Sequence, residues 1–174
     1  MRSTARACAA WLASLCLLVA HPAAAQERRP LTLDVSTGWA GFIDESAINH
    51  AVVSGGLRFS LTPRLSVGPE VTYTRGPGDD RDLFVLGNLF FDLLKANGRR
   101  PPPVSPFLVA GGGLFQFRNR YSGRSFTSSS PTFAGGAGVR VAIGDRISVA
   151  PEFRVGVEDV HIRAGVTVGI GLGR

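Results

Sequence analysis

The chain has 174 residues, including 22 glycines, with 19 lysine and arginine side chains against 13 acidic ones. This length suits a single domain, and a modest positive charge spread along the chain gives little support for a nucleic-acid partner. The 2 cysteines, Cys8 and Cys16, both lie in an N-terminal segment that we predict to be removed. The remaining chain then has no cysteine, and this excludes both a disulfide framework and a metal site with thiolate ligands.

Residues 1–25 are typical of a secretory signal peptide. Arg2 and Arg6 precede an apolar run over residues 7–20, and three alanines follow just before Gln26. The apolar run is shorter than the roughly 20 residues that a membrane-spanning helix needs. We therefore predict cleavage after residue 25 and a mature domain over residues 26–174.

Eight segments after the signal peptide alternate between apolar and polar residues, and a period of two predicts β-strands. The predicted strands cover residues 31–39, 50–61, 65–74, 83–94, 105–118, 132–143, 147–157 and 160–172. The fourth alternates poorly and is also compatible with a helix, and we assign it as a strand because its neighbours require one. Strands of about 10 residues can cross a membrane when they are tilted.

The predicted connections alternate in length. Those after the second and sixth strands are tight turns, whereas residues 41–49, 75–82 and 119–131 form longer loops. Short periplasmic turns and longer extracellular loops are typical of outer-membrane barrels. The pattern therefore predicts an N-terminus on the periplasmic side.

A strand–turn–strand unit occurs twice. Residues 56–71 read GLRFSLTPRLSVGPEV and residues 138–153 read GVRVAIGDRISVAPEF. In both copies one face is apolar, and the other holds charged residues together with glycine, alanine and serine. An apolar face towards lipid and a crowded polar face inside are expected of a small transmembrane barrel.

Charges on the inward face need partners, because an unpaired buried charge is costly. In each copy the turn places the glutamate, Glu70 or Glu152, opposite a glycine, Gly56 or Gly138. The arginine two positions along each copy then lies diagonally within reach of that glutamate. We predict that an interior ion network fills the barrel and that its members are Arg58, Glu70, Arg140, Glu152, Arg154 and Arg163.

Outward aromatic residues are predicted to form two belts, as at the two interfaces of a membrane barrel. The upper belt comprises Trp39, Tyr73, Phe117 and Phe133, and the lower belt comprises Phe59, Phe91 and Phe107.

These features together resemble the small eight-stranded outer-membrane β-barrel family, which includes the transmembrane domain of outer-membrane protein A and the opacity-type surface proteins. The resemblance rests on the signal peptide, the alternating strands, the Pro-Glu pairs at Pro69 and Pro151, and the glycine-laced last strand. It implies an all-β, antiparallel up-and-down transmembrane barrel in the bacterial outer membrane. It also implies outer-membrane lipid, lipopolysaccharide and the barrel-assembly machinery as partners.

The predicted loop over residues 119–131 is the largest surface feature, with Arg118, Arg120 and Arg124 in or beside it. Arginine forks fit phosphate groups well, so these residues are candidates for contact with lipopolysaccharide or with another surface. A solvated loop without a partner is the simpler interpretation of the same composition.

The sequence gives little support for catalysis. The glycine runs are not followed by the Gly-Lys-Ser/Thr of a phosphate-binding loop. His50 and His161 are separate in sequence, and no cysteine accompanies them, so no metal or other cofactor is expected. We predict a structural or surface-interaction role. The alternatives are an outer-leaflet enzyme resembling the lipid A deacylases and a soluble barrel of the lipocalin kind.

Overall fold

The computed structural model describes residues 31–43, 47–78, 80–94, 102–121, 124–143, 146–157 and 160–172. For residues 43, 47–48, 118–121 and 124–126 the backbone alone is described. The predicted signal peptide lies outside these residues. Within the described part of the chain, no helix is long and apolar enough to cross a membrane.

The described residues form eight strands, each antiparallel to the next, and β8 pairs with β1 to close the sheet into a barrel. The strands are β1 (Leu31–Ile43), β2 (Ala47–Ser60), β3 (Leu65–Arg75), β4 (Arg81–Asp92), β5 (Val104–Tyr121), β6 (Arg124–Ile143), β7 (Ile147–Val157) and β8 (His161–Leu172). The predicted all-β, eight-stranded antiparallel barrel is confirmed. We call the end with the tight turns after β2 and β6 periplasmic, and the opposite end extracellular.

The register of the two repeated units agrees with the prediction. Gly56 pairs with Glu70, and Gly138 pairs with Glu152. A Cβ atom at Gly56 would lie 2.7 Å from the carbonyl oxygen of Pro69, and one at Gly138 would lie 2.6 Å from the Phe107 ring. Both positions therefore require glycine because the neighbouring atoms approach the backbone too closely for a side chain.

The connection between β5 and β6 differs from the predicted long loop. β5 continues to Tyr121, β6 begins at Arg124, and the two strands stay paired up to these residues. Pairing across this hairpin satisfies the backbone groups of a segment rich in serine and threonine. Composition alone assigns such a segment to a solvated loop, because the pairing partner is not visible in it. The first connection is also shorter than predicted.

The weakly alternating fourth segment is a regular strand whose side chains alternate in burial. Its inward face holds Phe84, Leu86 and Phe90 as well as Asp82 and Asn88. Large apolar residues on both faces explain why the hydropathy pattern of β4 is poor although its geometry is regular.

The outward face of the barrel is apolar, which excludes the soluble lipocalin-like alternative, since that barrel needs a polar exterior. Exposed aromatic residues on this face are Trp39, Tyr73 and Phe133 towards the extracellular end, Phe59 and Phe91 towards the periplasmic end, and Phe153 in the middle of β7.

The placement of Phe107 and Phe117 on the outer surface is wrong. Phe107 is 2% exposed and packs with Phe90 and Val109 inside the barrel, while Phe117 packs against a second interior cluster. The interior accepts the Phe107 ring because the facing Gly138 leaves room for it. The rule that apolar residues face lipid therefore fails in β5.

Candidate functional site in the barrel interior

Four charged side chains meet inside the barrel, and we call them the central cluster. Arg154 Nη1 lies 2.9 Å from Glu70 Oε2, and Arg154 Nη2 lies 3.0 Å from Glu152 Oε1. Arg163 Nη2 lies 2.7 Å from Glu70 Oε1 and 3.6 Å from Glu152 Oε1. Two arginines thus neutralise two glutamates, which is the condition for burying charges in a protein interior.

Neutral polar residues complete the contacts of Glu70. Thr72 Oγ1 donates a hydrogen bond of 2.9 Å to Glu70 Oε1, and Asn88 Nδ2 donates one of 2.6 Å to Glu70 Oε2. Arg163 Nη1 also donates to Thr72 Oγ1 at 2.8 Å. Glu70 is therefore the residue on which most contacts of the central cluster converge.

Two further ion pairs lie closer to the periplasmic end. Arg58 binds Asp34 with both arms of its fork, from Nε to Oδ2 at 2.8 Å and from Nη2 to Oδ1 at 3.2 Å. Arg140 Nη1 donates a hydrogen bond to Asp92 Oδ1. A fork-to-carboxylate contact with two bonds is the stronger and more specific geometry.

Aromatic rings connect these pairs to the central cluster. The guanidinium carbon of Arg58 lies 5.7 Å from the centre of the Phe90 ring, and that of Arg154 lies 6.0 Å from the same ring. Arg140 stacks over Phe107 at 4.7 Å. Cations over ring faces are stabilised by the ring quadrupole, so the misassigned Phe107 is part of the interior packing.

The structure brings the predicted network together in a different arrangement. Glu70, Glu152, Arg154 and Arg163 form one cluster, whereas Arg58 and Arg140 bind aspartates instead of the glutamates. Sequence reasoning missed those aspartates. Asp34 pairs in register with Gly56, as Glu70 does, so the same diagonal rule applied to β1 and β2 finds it. The rule cannot find Asp92, because Asp92 in β4 and Arg140 in β6 are not on adjacent strands and β5 lies between them.

The extracellular end of the interior holds both described histidines, which the sequence presents as isolated. His50 Nε2 lies 3.0 Å from Asp80 Oδ2 and 3.7 Å from Asp82 Oδ2. The His161 ring lies 5.3 Å from the Phe42 ring. The β3–β4 hairpin thus brings two carboxylates to His50, a proximity that the separate positions of these residues in the sequence do not indicate.

The three arginines of the predicted surface loop lie in the β5–β6 hairpin. Arg118 pairs in register with Thr127, Arg120 with Ser125, and Arg124 with Tyr121. The side chains of all three arginines lie outside the described residues.

An apolar exterior around a closed antiparallel barrel with an ion-paired interior defines the class of outer-membrane β-barrel proteins. The family model described as "Outer membrane protein beta-barrel domain" matches residues 10–173. The chain belongs to this family, and its location is the bacterial outer membrane.

Solved structures with the same fold share little sequence with the chain. Neisserial surface protein A (NspA) has a TM-score of 0.66 at 13% identity, covering 82% of this chain and 96% of that one. The N-terminal barrel of Pseudomonas aeruginosa OprF has a TM-score of 0.65 at 12% identity, covering 84% and 100%. The outer-membrane enzyme PagL has a TM-score of 0.53 at 16% identity, covering 81% and 99%.

One curated protein matches in sequence, the potassium-binding subunit of a potassium-transporting ATPase from Streptomyces avermitilis. It is 33% identical over 107 residues, which is 59% of this chain. The match spans about a fifth of that subunit, 19% of its length.

Proposed function

We propose that this protein is a plugged outer-membrane barrel with a structural and surface-interaction role, and that it neither conducts ions nor catalyses a reaction. The observation that carries the proposal is the central cluster, in which Arg154 and Arg163 bind Glu70 and Glu152 across the lumen. An eight-stranded barrel is just wide enough for its side chains to fill it. Ion pairs in that space occupy the route that a pore would need.

The β5–β6 hairpin supports a role at the cell surface. Phe133 of β6 pairs with Val157, the last residue of β7, so residues 124–132 of β6 continue beyond β7 on the extracellular side. Within this extension Thr127 and Ser128 are exposed. A paired hairpin presents its residues in a defined order, which suits contact with a partner better than a solvated loop does.

Lipopolysaccharide is the partner that the exposed arginines favour. Arg75 of β3 and Arg81 of β4 are exposed and pair directly in register, next to the outward Tyr73. Like charges placed directly opposite each other repel, and no described acidic side chain forms an ion pair with either. A phosphate group between the two guanidinium groups relieves that repulsion.

A lipid-modifying enzyme is the alternative, since PagL has a similar fold. That likeness concerns the fold alone. His50 and His161 are both buried inside the barrel, whereas an enzyme of the outer leaflet needs its base beside the lipid. The orientation of the two histidines therefore supports a role without catalysis.

Planar-bilayer recording tests the plugged interior. We expect no stable conductance steps for the intact protein, and rare openings for a variant with Glu70→Ala and Glu152→Ala together. Ser128→Ala is the matched control, because it leaves the lumen unchanged. Large, stable steps for the intact protein contradict the proposal.

A further inference from the structure

A second cluster of titratable side chains lies at the extracellular mouth of the barrel, and we call it the mouth cluster. It consists of His50, Asp80 and Asp82, and one ligand atom from each lies within 4.8 Å of the others. His50 and Asp82 are buried, whereas the Asp80 side chain is 20% exposed. The cluster therefore combines a nitrogen and two carboxylate donors in an enclosed place that solvent reaches from one side.

The fold holds each donor in position. Phe42 packs edge-on against the His50 ring, with ring centres 4.6 Å apart, which fixes the plane of the imidazole. Thr74 Oγ1 donates a hydrogen bond of 3.0 Å to Asp82 Oδ2. In the β3–β4 turn, Gly76 N donates to the carbonyl oxygen of Asp80 at 3.0 Å. Outer contacts of this kind orient the ligands of metal sites.

An unpartnered carboxylate oxygen points to a ligand between these side chains. Asp80 Oδ1 is buried and has no hydrogen-bond partner in the described part of the chain, and a buried carboxylate oxygen without a partner is costly. A Cβ atom at Gly76 would lie 2.4 Å from His50 Nε2, so glycine is needed there for the turn backbone to pack directly against the imidazole ring.

We propose that the mouth cluster binds a divalent transition cation such as Zn²⁺. Ligand atoms about 2.1 Å from a tetrahedral ion are about 3.4 Å apart. Nε2 of His50 lies 3.0 Å from one aspartate oxygen and 3.7 Å from the other, on either side of that value. An imidazole donor distinguishes such an ion from Ca²⁺ and Mg²⁺, which favour oxygen ligands.

The charge of the cluster agrees with this assignment. Two aspartates face one imidazole in this cluster, and a dication compensates the charge of two carboxylates. The competing arrangement is a protonated His50 that forms an ion pair with Asp80 and needs no metal. The two arrangements differ in whether added metal binds, so that metal binding decides between them.

Calorimetric titration of the metal-stripped, refolded full-length protein with Zn²⁺ tests the proposal. We expect one ion per chain, with binding weakened at least tenfold by His50→Gln and by Asp80→Asn. The matched control is His161→Gln, which changes the other buried histidine and should leave binding intact. Heat-dependent gel mobility identifies folded variants, and Asp80→Asn, which alters a partly exposed turn, serves if His50→Gln does not fold.

A second titration uses Mg²⁺ in place of Zn²⁺, and we expect at least tenfold weaker binding. No Zn²⁺ binding by the folded intact protein overturns the proposal and leaves the ion pair. Equal binding by the intact protein and by folded Asp80→Asn also overturns it, because the ion then lies elsewhere. Binding of Mg²⁺ as tight as that of Zn²⁺ contradicts the role of His50.

Discussion

The two repeated units have matching sequences, yet their glutamates have different surroundings. Glu70 contacts both arginines of the central cluster and also accepts hydrogen bonds from Thr72 and Asn88. Glu152, at the matching position, contacts the same two arginines, and the shorter of its contacts is with Arg154. The local sequence therefore directs a carboxylate into the lumen, and the opposite wall decides how many partners it finds.

The arginines of the two units differ in the same way. Arg58 binds Asp34 on the adjacent strand β1 through two hydrogen bonds. Arg140 reaches across β5 to Asp92 on β4 through one. Equivalent positions thus have the same direction and different partners. Four sets of variants compare the interiors and the outer faces of the two units, and one position outside them.

The largest effect is expected at the two glutamates. Glu70→Ala removes a partner from both Arg154 and Arg163, and breaking a buried pair in this way costs about 3–5 kcal/mol of unfolding free energy. Glu152→Ala should cost less, because both arginines retain Glu70. Urea unfolding in lipid vesicles gives the two values, with Glu→Gln at each site as the isosteric control. Equal losses contradict the ranking.

The outward faces of the two units should respond equally. Val71 and Phe153 end the two copies, and each is 47% exposed on the lipid-facing surface. Arginine at either position should cost about 2–4 kcal/mol if it lies near the bilayer midplane. The same unfolding assay checks this, with Val71→Leu and Phe153→Leu as controls. If one site tolerates arginine, the two faces are not equivalent.

A smaller effect is expected for the periplasmic ion pairs. Asp34→Ala removes both hydrogen bonds of Arg58 and should lower the unfolding free energy by about 1–3 kcal/mol. Asp92→Ala should lower it by less, because Arg140 loses a single hydrogen bond. A double-mutant cycle of Asp34 with Arg58 should give a coupling energy above about 0.5 kcal/mol. The cycle of Asp34 with Arg163 is the control and should be additive within error. Coupling of equal size in both cycles refutes the pairwise assignment.

The smallest effect is expected outside both units. Ser128 is exposed on the β5–β6 hairpin, and Ser128→Arg should change the unfolding free energy by less than about 0.5 kcal/mol. This variant carries the same new charge as the lipid-facing variants, so it separates the effect of the membrane from the effect of arginine itself. A loss as large as that at Val71 means that this part of the hairpin lies in the bilayer.

Much of the fold could be predicted from the sequence, because its determinants are local. Alternation of side chains sets which face of a strand meets lipid, and tight turns set the register of neighbouring strands. These two rules are sufficient to place Glu70 opposite Gly56, and to direct Arg154 and Arg163 into the lumen. They failed for Phe107, because a ring can also pack inside where a facing glycine leaves space.

Closure of the barrel decided the contacts that the sequence could not predict. Arg154 of β7 meets Glu70 of β3 from the opposite wall, and Asp92 of β4 meets Arg140 of β6 across an intervening strand. His50 likewise acquires Asp80 only because the β3–β4 turn folds towards it. The sequence by itself determined the strands, their faces and the register of the repeated hairpins. The tertiary structure alone decided which charges meet, because distances across a closed lumen depend on all eight strands at once.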